Sequence, residues 1–195
     1  MTAAAQSKSL YCMSCGEEAP TYSVERGENV ELRCAYCGFT LQERAGITFE
    51  KTLECIVLAD DERLFRSLLS DILIGERVGK EVIACEGGAQ LLTECVRRFR
   101  DNRHVSLVIL DILMKPMDGS VAALALRALE KGFDLPTPVP ILFVSAVRAD
   151  ESLRRLTEGT APALYLNKGK DAAPPLIARR IKELIPHLLT SPRSG

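Results

Sequence analysis

The chain has no tryptophan, an absence that by itself excludes nothing. Its other shortages say more. There is almost no net charge: the formal value is −1, so the molecule as a whole is not built around a polyanion. No apolar run approaches the ~18 residues of a membrane span, and Met1 to Leu10 lacks the apolar stretch of a signal peptide. The expectation is a soluble cytoplasmic protein with no membrane contact. A Gly-rich phosphate loop is missing, as is any Ser/His/Asp set, so an independent enzyme is not expected. Only two histidines occur. His104 precedes a strand and His187 sits beside Pro186, and both read as incidental.

What is present begins with a core: 47% of the residues are hydrophobic. A length of 195 residues suits one ordinary domain and a small one. Composition changes near residue 50. Residues 10–45 are polar, rich in Gly and Glu, and cannot build a core alone. From Leu53 onward short apolar strands (53–59, 80–85, 105–110, 140–145 and 163–167) alternate with helical patterns (62–74, 87–100, 119–131, 149–158 and 174–189). Five strands and five helices in alternation predict an α/β fold with a doubly wound parallel sheet. The expected division is a small module at 8–45, a linker at 46–52 and the α/β domain at 53–190.

Individual segments carry their own signals. Leu64, Phe65, Leu68, Leu69, Ile72 and Leu73 form one broad helical face that ends at Gly75. Val121, Leu124, Ala125 and Ala128 recur at helical spacing, and Gly132 stops them. The last helix is expected to begin after Pro174-Pro175 and to kink or end near Pro186. Residues 132–139, rich in proline, predict a stiff loop.

Seven cysteines divide into four and three. Cys55, Cys85 and Cys95 lie in apolar surroundings and read as small core side chains. Cys12, Cys15, Cys34 and Cys37 follow the spacing C-x2-C-x18-C-x2-C, a metal-site pattern where no export signal is present. Each pair is followed by glycine, Gly16 or Gly38, which supplies the backbone angles of a tight turn. Four thiolates match tetrahedral Zn²⁺ in a closed, structural site; disulfides or an iron site are the alternatives. Tyr22-Ser23-Val24 and Val30-Glu31-Leu32 predict a hairpin around Arg26-Gly27-Glu28. The segment resembles zinc-ribbon domains. It carries Lys8, Arg26, Arg33 and Arg44 against six glutamates, whereas phosphate binding needs clustered basic residues. A structural or protein-contact role is therefore favoured over nucleic acid.

Three carboxylates fall at strand ends. Asp60 and Asp61 follow Cys55-Ile56-Val57-Leu58-Ala59, and Asp111 follows Val105-Ser106-Leu107-Val108-Ile109-Leu110. In a parallel sheet the carboxyl ends of the strands are where ligands bind. Acidic groups that converge there repel one another and imply a cation or a modification that relieves the repulsion. Singly, Asp60 or Asp61 could be a helix N-cap, Lys168 a solvated lysine, Ser145 a strand-end hydroxyl and Tyr165 ordinary core.

Taken in order, Asp60-Asp61, Asp111 with Met114, Pro116, Met117, Asp118 and Gly119, Ser145-Ala146, and Tyr165 with Lys168 make residues 53–189 resemble the receiver domain of two-component response regulators. The resemblance implies a flavodoxin-like fold and a phosphorylation-switched protein. Asp111 would be the phosphoacceptor for a histidine kinase. Mg²⁺ would be held by Asp61, Asp111 and the Leu113 backbone carbonyl, with Asp60 acting through water. Lys168 and Ser145 would hold phosphoryl oxygens, and Tyr165 would be the switching aromatic. Two positions depart from the family pattern: Gly169 follows Lys168 where proline is usual, and Lys115 displaces the turn proline to Pro116. A cis bond before Gly169 would cost about 2.5–4 kcal/mol.

The resemblance also implies output through the fourth helix, fifth strand and fifth helix of this domain, to a downstream signalling protein or a second copy. With the chain ending at Gly195, output is expected from that surface, from the ribbon, or from both. A nucleic-acid-binding regulator acting through the ribbon and a non-phosphorylated pseudo-receiver are the alternatives.

Overall fold

A computed structural model describes residues 9–26, 29–41, 51–169 and 173–190. Most of the expected linker, the hairpin residues Gly27 and Glu28, and Lys8 and Arg44 lie outside the described residues.

Two sheets form. The first is antiparallel, in the order β1 (Ser9–Cys12), β2 (Glu17–Arg26), β3 (Asn29–Cys34). The expected hairpin is its β2–β3 pair, with Tyr22 opposite Arg33 and Val24 opposite Glu31; β1, which the sequence did not suggest, adds a third strand. The second sheet is parallel, in the order β5 (Gly79–Cys85), β4 (Leu53–Ala59), β6 (Leu107–Leu110), β7 (Ile141–Ser145), β8 (Ala163–Asn167). Its helices are α1 (Arg63–Gly75), α2 (Gly88–Arg100), α3 (Gly119–Gly132), α4 (Glu151–Gly159) and α5 (Pro174–Thr190). The α/β expectation of five parallel strands and five helices, with a small β module ahead of it, is what forms.

The reason lies in burial. All four residues of β6 and all five of β7 are buried, as continuous apolar strands must be when helices cover both sheet faces. One apolar layer packs Leu69, Leu73, Ile181, Leu184 and Ile185 of α1 and α5 on the sheet. The other packs Leu91, Cys95, Ala122 and Leu126 of α2 and α3. Strand order reverses beside β4, so β4 and β6 diverge at the switch point where doubly wound sheets bind ligands.

Two helix starts are corrected. The fourth helix starts at Glu151, because the Asp150 carboxylate accepts the Leu153 amide at 2.8 Å and caps it there. The last helix includes Pro174 and Pro175, whose missing N–H groups cost nothing in a first turn. It runs through Pro186 and ends at Thr190. Burial of Ile181, Leu184, Ile185 and Leu188 offsets the interior proline, which costs about 3 kcal/mol.

The ribbon module is not free-standing. Cys12, Ala19, Cys34 and Phe39 join the same buried cluster as Leu166 and Ile177. They pack against β8 and α5, and nearby a Cβ at Gly38 would come within 3.3 Å of Arg154 of α4. At the rim Arg148 pairs with Glu17 at 2.8 Å, and His187, read from the sequence as incidental, sets its ring edge-on to Phe39 at 5.2 Å.

Gly119, at the start of α3, has no room for a side chain. A Cβ there would lie 1.9 Å from the Asp111 carbonyl oxygen, and the Gly119 amide closes the turn on Ile112 at 2.8 Å. Gly119→Ala is expected to destabilise the fold by about 1–3 kcal/mol or more, the scale of an overpacked core. Urea unfolding measures this directly, and an unchanged midpoint would mean that the turn yields without strain.

Candidate functional site

The parallel sheet brings its acidic residues to one edge. Asp60 follows β4, Asp111 follows β6, and ligand oxygens of Asp60, Asp61 and Asp111 lie within 4.8 Å of one another. Asp60 and Asp111 are buried and Asp61 is exposed. Lys168, one residue beyond β8, reaches across: its Nζ donates to Asp60 at 2.7 Å and to Asp111 at 2.9 Å. The Lys168 amide donates to the Ser145 carbonyl at 2.9 Å, which brings Ser145, the last residue of β7, to the same edge. Its hydroxyl oxygen is buried and has no hydrogen-bond partner among the described residues. The Leu113 amide donates to Asp111 Oδ1 at 3.2 Å, and the Glu62 amide donates to Asp60 Oδ1 at 2.9 Å. Neither Asp60 nor Asp61 is the first residue before α1; that is Glu62.

The electrostatics follow from burial. Desolvation raises the Asp60 carboxyl above the usual carboxylate range, further than its Lys168 hydrogen bond lowers it. Burial alone would lower the Lys168 ammonium, but its bonds to Asp60 and Asp111 hold it above its ordinary value. The pocket thus contains one cation shared by two buried carboxylates, with a third carboxylate at its mouth. That set has room for more positive charge: oxygen donors in a cluster suit a hard divalent cation, and the excess negative charge favours one.

Tyr165 is 2% exposed, so its ring is already inside. Its hydroxyl donates to the Val147 carbonyl and accepts from Asn167 Nδ2 at 2.6 Å. Burial pushes the phenol up to about 12, so it remains a donor at neutral pH. Among the described residues the cis peptide bonds are Lys115–Pro116 and Ala161–Pro162; Lys168–Gly169 is trans. Gly169 instead takes φ +75°, and its amide donates to Asn167 Oδ1 at 2.7 Å. A side-chain turn at Asn167 therefore shapes the loop after β8.

Sequence reading missed four residues here. Arg66 on α1 is buried and donates to the Asp60 carbonyl at 2.6 Å. Phe65 places its ring 4.3 Å from the Lys168 ammonium, a cation–π contact. Asn167 fixes the β8 terminus, and Arg180 of α5 donates to the Asn167 carbonyl at 2.6 Å. Phe65 read only as part of an apolar stripe, and a polar residue whose partners are backbone groups far along the chain leaves no periodic signal.

The four N-terminal cysteines form a second cluster, with sulfurs within 4.8 Å of one another. Cys12 and Cys37 sulfurs are 3.6 Å apart, and those of Cys15 and Cys34 are 3.8 Å apart. None is disulfide-bonded. A tetrahedron with metal–sulfur bonds of about 2.3 Å has edges of about 3.8 Å, so the sulfurs already outline a four-thiolate metal site. Gly16 and Gly38 both take positive φ, +76° and +75°, and their amides close tight turns on Cys12 and Cys34. Contact among the sulfurs, with Cys12 first, raises the Cys15 thiol and lowers Cys34. Cys55, Cys85 and Cys95 are buried, and desolvation pushes their thiols up, to about 11 for Cys55 and about 12 for the other two. They are core thiols, as their surroundings suggested. No helix among the described residues is long and apolar enough to cross a membrane.

Comparison with known proteins gives a consistent picture. The model of the response regulator receiver domain matches residues 56–172. A protein-glutamate methylesterase/protein-glutamine glutaminase of Paramagnetospirillum magneticum is 33% identical over 109 residues, 54% of this chain and 26% of the relative. The chain thus spans about a quarter of that relative's length. Among solved structures, the Mg²⁺ complex of the receiver domain of the histidine kinase CKI1 from Arabidopsis thaliana superposes with a TM-score of 0.54 at 22% identity, covering 69% of this chain and 95% of that one. The chemotaxis protein CheY4 of Vibrio cholerae gives 0.53 at 16% identity, covering 68% and 99%.

Removing the shared cation tests the electrostatic reading. Lys168→Met leaves Asp60 and Asp111 buried without their counter-ion, and breaking a buried pair in this way costs about 3–5 kcal/mol. The loss should appear in urea unfolding in the presence of a chelator and shrink when Mg²⁺ is added. A variant as stable as the parent without Mg²⁺ would show that Lys168 is not what holds the carboxylates.

Proposed function

The chain belongs to the response regulator receiver family, and from that premise we propose that Asp111 is its phosphoacceptor and that it acts as a phosphorylation-switched signalling protein rather than an enzyme. The observation that carries this reading is the Lys168 ammonium bridging Asp60 and Asp111 beside a buried Ser145 hydroxyl that has no partner among the described residues. An Asp111 carboxylate oxygen attacks the phosphorus of a phosphohistidine on a histidine kinase; the phosphorus–nitrogen bond breaks, and the imidazole leaves with the electron pair and takes up a proton. The product is an acyl phosphate on Asp111.

The residues around Asp111 have separate tasks. Lys168 would exchange its bond to Asp111 for a charge-assisted bond to a phosphoryl oxygen. Ser145 would donate its hydroxyl to another. We assign Mg²⁺ to Asp61, Asp111 and the Leu113 carbonyl, with Asp60 acting through water; when bound, it offsets the charge on the phosphoryl group in transfer. Arg66 and Phe65 are positioning residues, one for the Asp60 backbone and the other for the Lys168 ammonium. Tyr165 and Ser145, on adjacent strands at this edge, are the proposed switch pair. The four cysteines we assign to one structural Zn²⁺, on the ground of the sulfur spacing. The esterase and glutaminase activities named for the bacterial relative are not carried over, since the match spans a quarter of that protein.

Intact mass after incubation with acetyl phosphate and Mg²⁺ tests the central step. The parent chain should gain one phosphoryl group, Asp111→Asn none, and omission of Mg²⁺ should abolish the gain. An equal gain in Asp111→Asn would move the phosphoacceptor elsewhere, and no gain in the parent would sink the proposal. Elemental analysis of the same protein should find one zinc per chain, lost in Cys34→Ser; a metal-free parent would overturn the zinc assignment.

A further inference from the structure

The ribbon meets the parallel sheet through the turn that carries two of its cysteines. Ser14 lies between Cys12 and Cys15, in a turn closed by the Gly16 amide on the Cys12 carbonyl at 2.7 Å. The Ser14 carbonyl accepts the Asn167 amide at 2.8 Å, and its hydroxyl donates to the Tyr165 carbonyl. The turn therefore prolongs the pairing of β8, the edge strand of its sheet. A single guanidinium ties the two parts together: Arg180 donates to Met13 at 2.7 Å, to Ser14 at 3.1 Å and to Asn167 at 2.6 Å, all at carbonyl oxygens. Gly16 is what allows this approach, since a Cβ there would come within 3.0 Å of Arg180.

On its other side the same segment reaches the acidic pocket. Asn167 is the neighbour of Lys168, whose ammonium bridges Asp60 and Asp111. Asn167 Nδ2 also donates to the Val147 carbonyl at 2.8 Å, two residues beyond Ser145. From the cysteine turn to the pocket there is one hydrogen bond and one peptide unit. We propose that the ribbon is the receiver's own ligand on the α4–β8–α5 face, and that metal occupancy of its four cysteines is coupled to phosphorylation of Asp111 through Ser14, Asn167 and Lys168.

The inference deepens the phosphoacceptor reading of Asp111 and rests on it. A phosphoryl group that draws Lys168 and Ser145 inward displaces the Asn167 peptide, to which Ser14 and Arg180 are bonded. The turn then loses part of its support, and the metal site that shapes the turn is weakened with it. Coupling of this kind is reciprocal: metal bound in a docked ribbon opposes the phosphorylated state by the same factor. The face expected to meet a partner becomes available when the ribbon leaves it.

The test uses the full chain, loaded with zinc and titrated with a chromogenic chelator, with and without Mg²⁺ and beryllofluoride. Beryllofluoride should weaken zinc binding about fivefold or more, the lower end of ordinary coupling. Asp111→Asn should bind zinc equally well under both conditions. Arg180→Ala should bind zinc but shift less than about twofold; if it fails to fold, Ser14→Ala, which loses one hydroxyl, should reduce the shift in the same direction. A parent whose zinc affinity stays within about twofold, although acetyl phosphate adds a phosphoryl group to the same preparation, overturns the coupling and leaves the phosphoacceptor reading standing. The same holds if Asp111→Asn shifts like the parent, or if the folded variants at Arg180 and Ser14 keep the full shift. No phosphoryl gain in the parent overturns both.

Discussion

One ammonium group holds the acidic edge of this protein together. Asp60 and Asp111 are both buried, and two carboxylates so placed cannot both stay ionised without a cation. Lys168 supplies it from the far edge of the sheet, at 2.7 and 2.9 Å. The ion pair is mutually dependent: burial raises the proton affinity of Asp60, while the two carboxylates keep Lys168 charged against its own desolvation. Such an arrangement adds little net stability, because desolvation of the ions consumes most of the attraction. Its consequence is positional. The lysine is held where an incoming anion or cation must rearrange it.

The rest of the domain can be understood as what keeps that ammonium in reach. Parallel pairing fixes the spacing of β4, β6, β7 and β8, and hence the distances between their carboxyl ends. Gly119 lets α3 start directly behind Asp111, and Arg66 anchors the Asp60 carbonyl from α1. At the opposite side Arg127 and Glu130 of α3 bind backbone groups of Val139 and Thr160, which fixes the proline-rich loop and the start of β8. That loop read as stiff in the sequence, and in the fold these bonds hold its end.

Much of this was legible in the chain. Apolar runs at β4, β6 and β7 exposed the parallel sheet, because a strand buried on both faces has no alternation to hide it. Asp60, Asp61 and Asp111 stood out because they follow such runs, Ser145 and Lys168 only through the family resemblance, and the two C-x-x-C-G pairs because spacing and glycine agree. Helix ends were less legible. Pro186 read as a kink or an end, but α5 runs on to Thr190, where burial of Leu184, Ile185 and Leu188 supports it. Arg66, Asn167 and Arg180 were invisible for another reason. Their partners are backbone carbonyls and amides, which every residue carries, so only the folded chain shows which of them need a donor.

The same limit hid the relation between the two parts of the chain. Read separately, a polar module of residues 10–45 and an α/β domain look like two units with a linker. Phe39, Cys12 and Cys34 share a buried cluster with Leu166 and Ile177, so the ribbon completes its core on the receiver rather than within itself. A module that lacks the apolar residues for its own core must borrow a surface, and the surface it borrows here is the edge of β8. An exposed strand edge invites pairing; this one is met by Ser14. The cysteine turn and the loop after β8 thus share a hydrogen bond, from the Asn167 amide to the Ser14 carbonyl, one residue from Lys168.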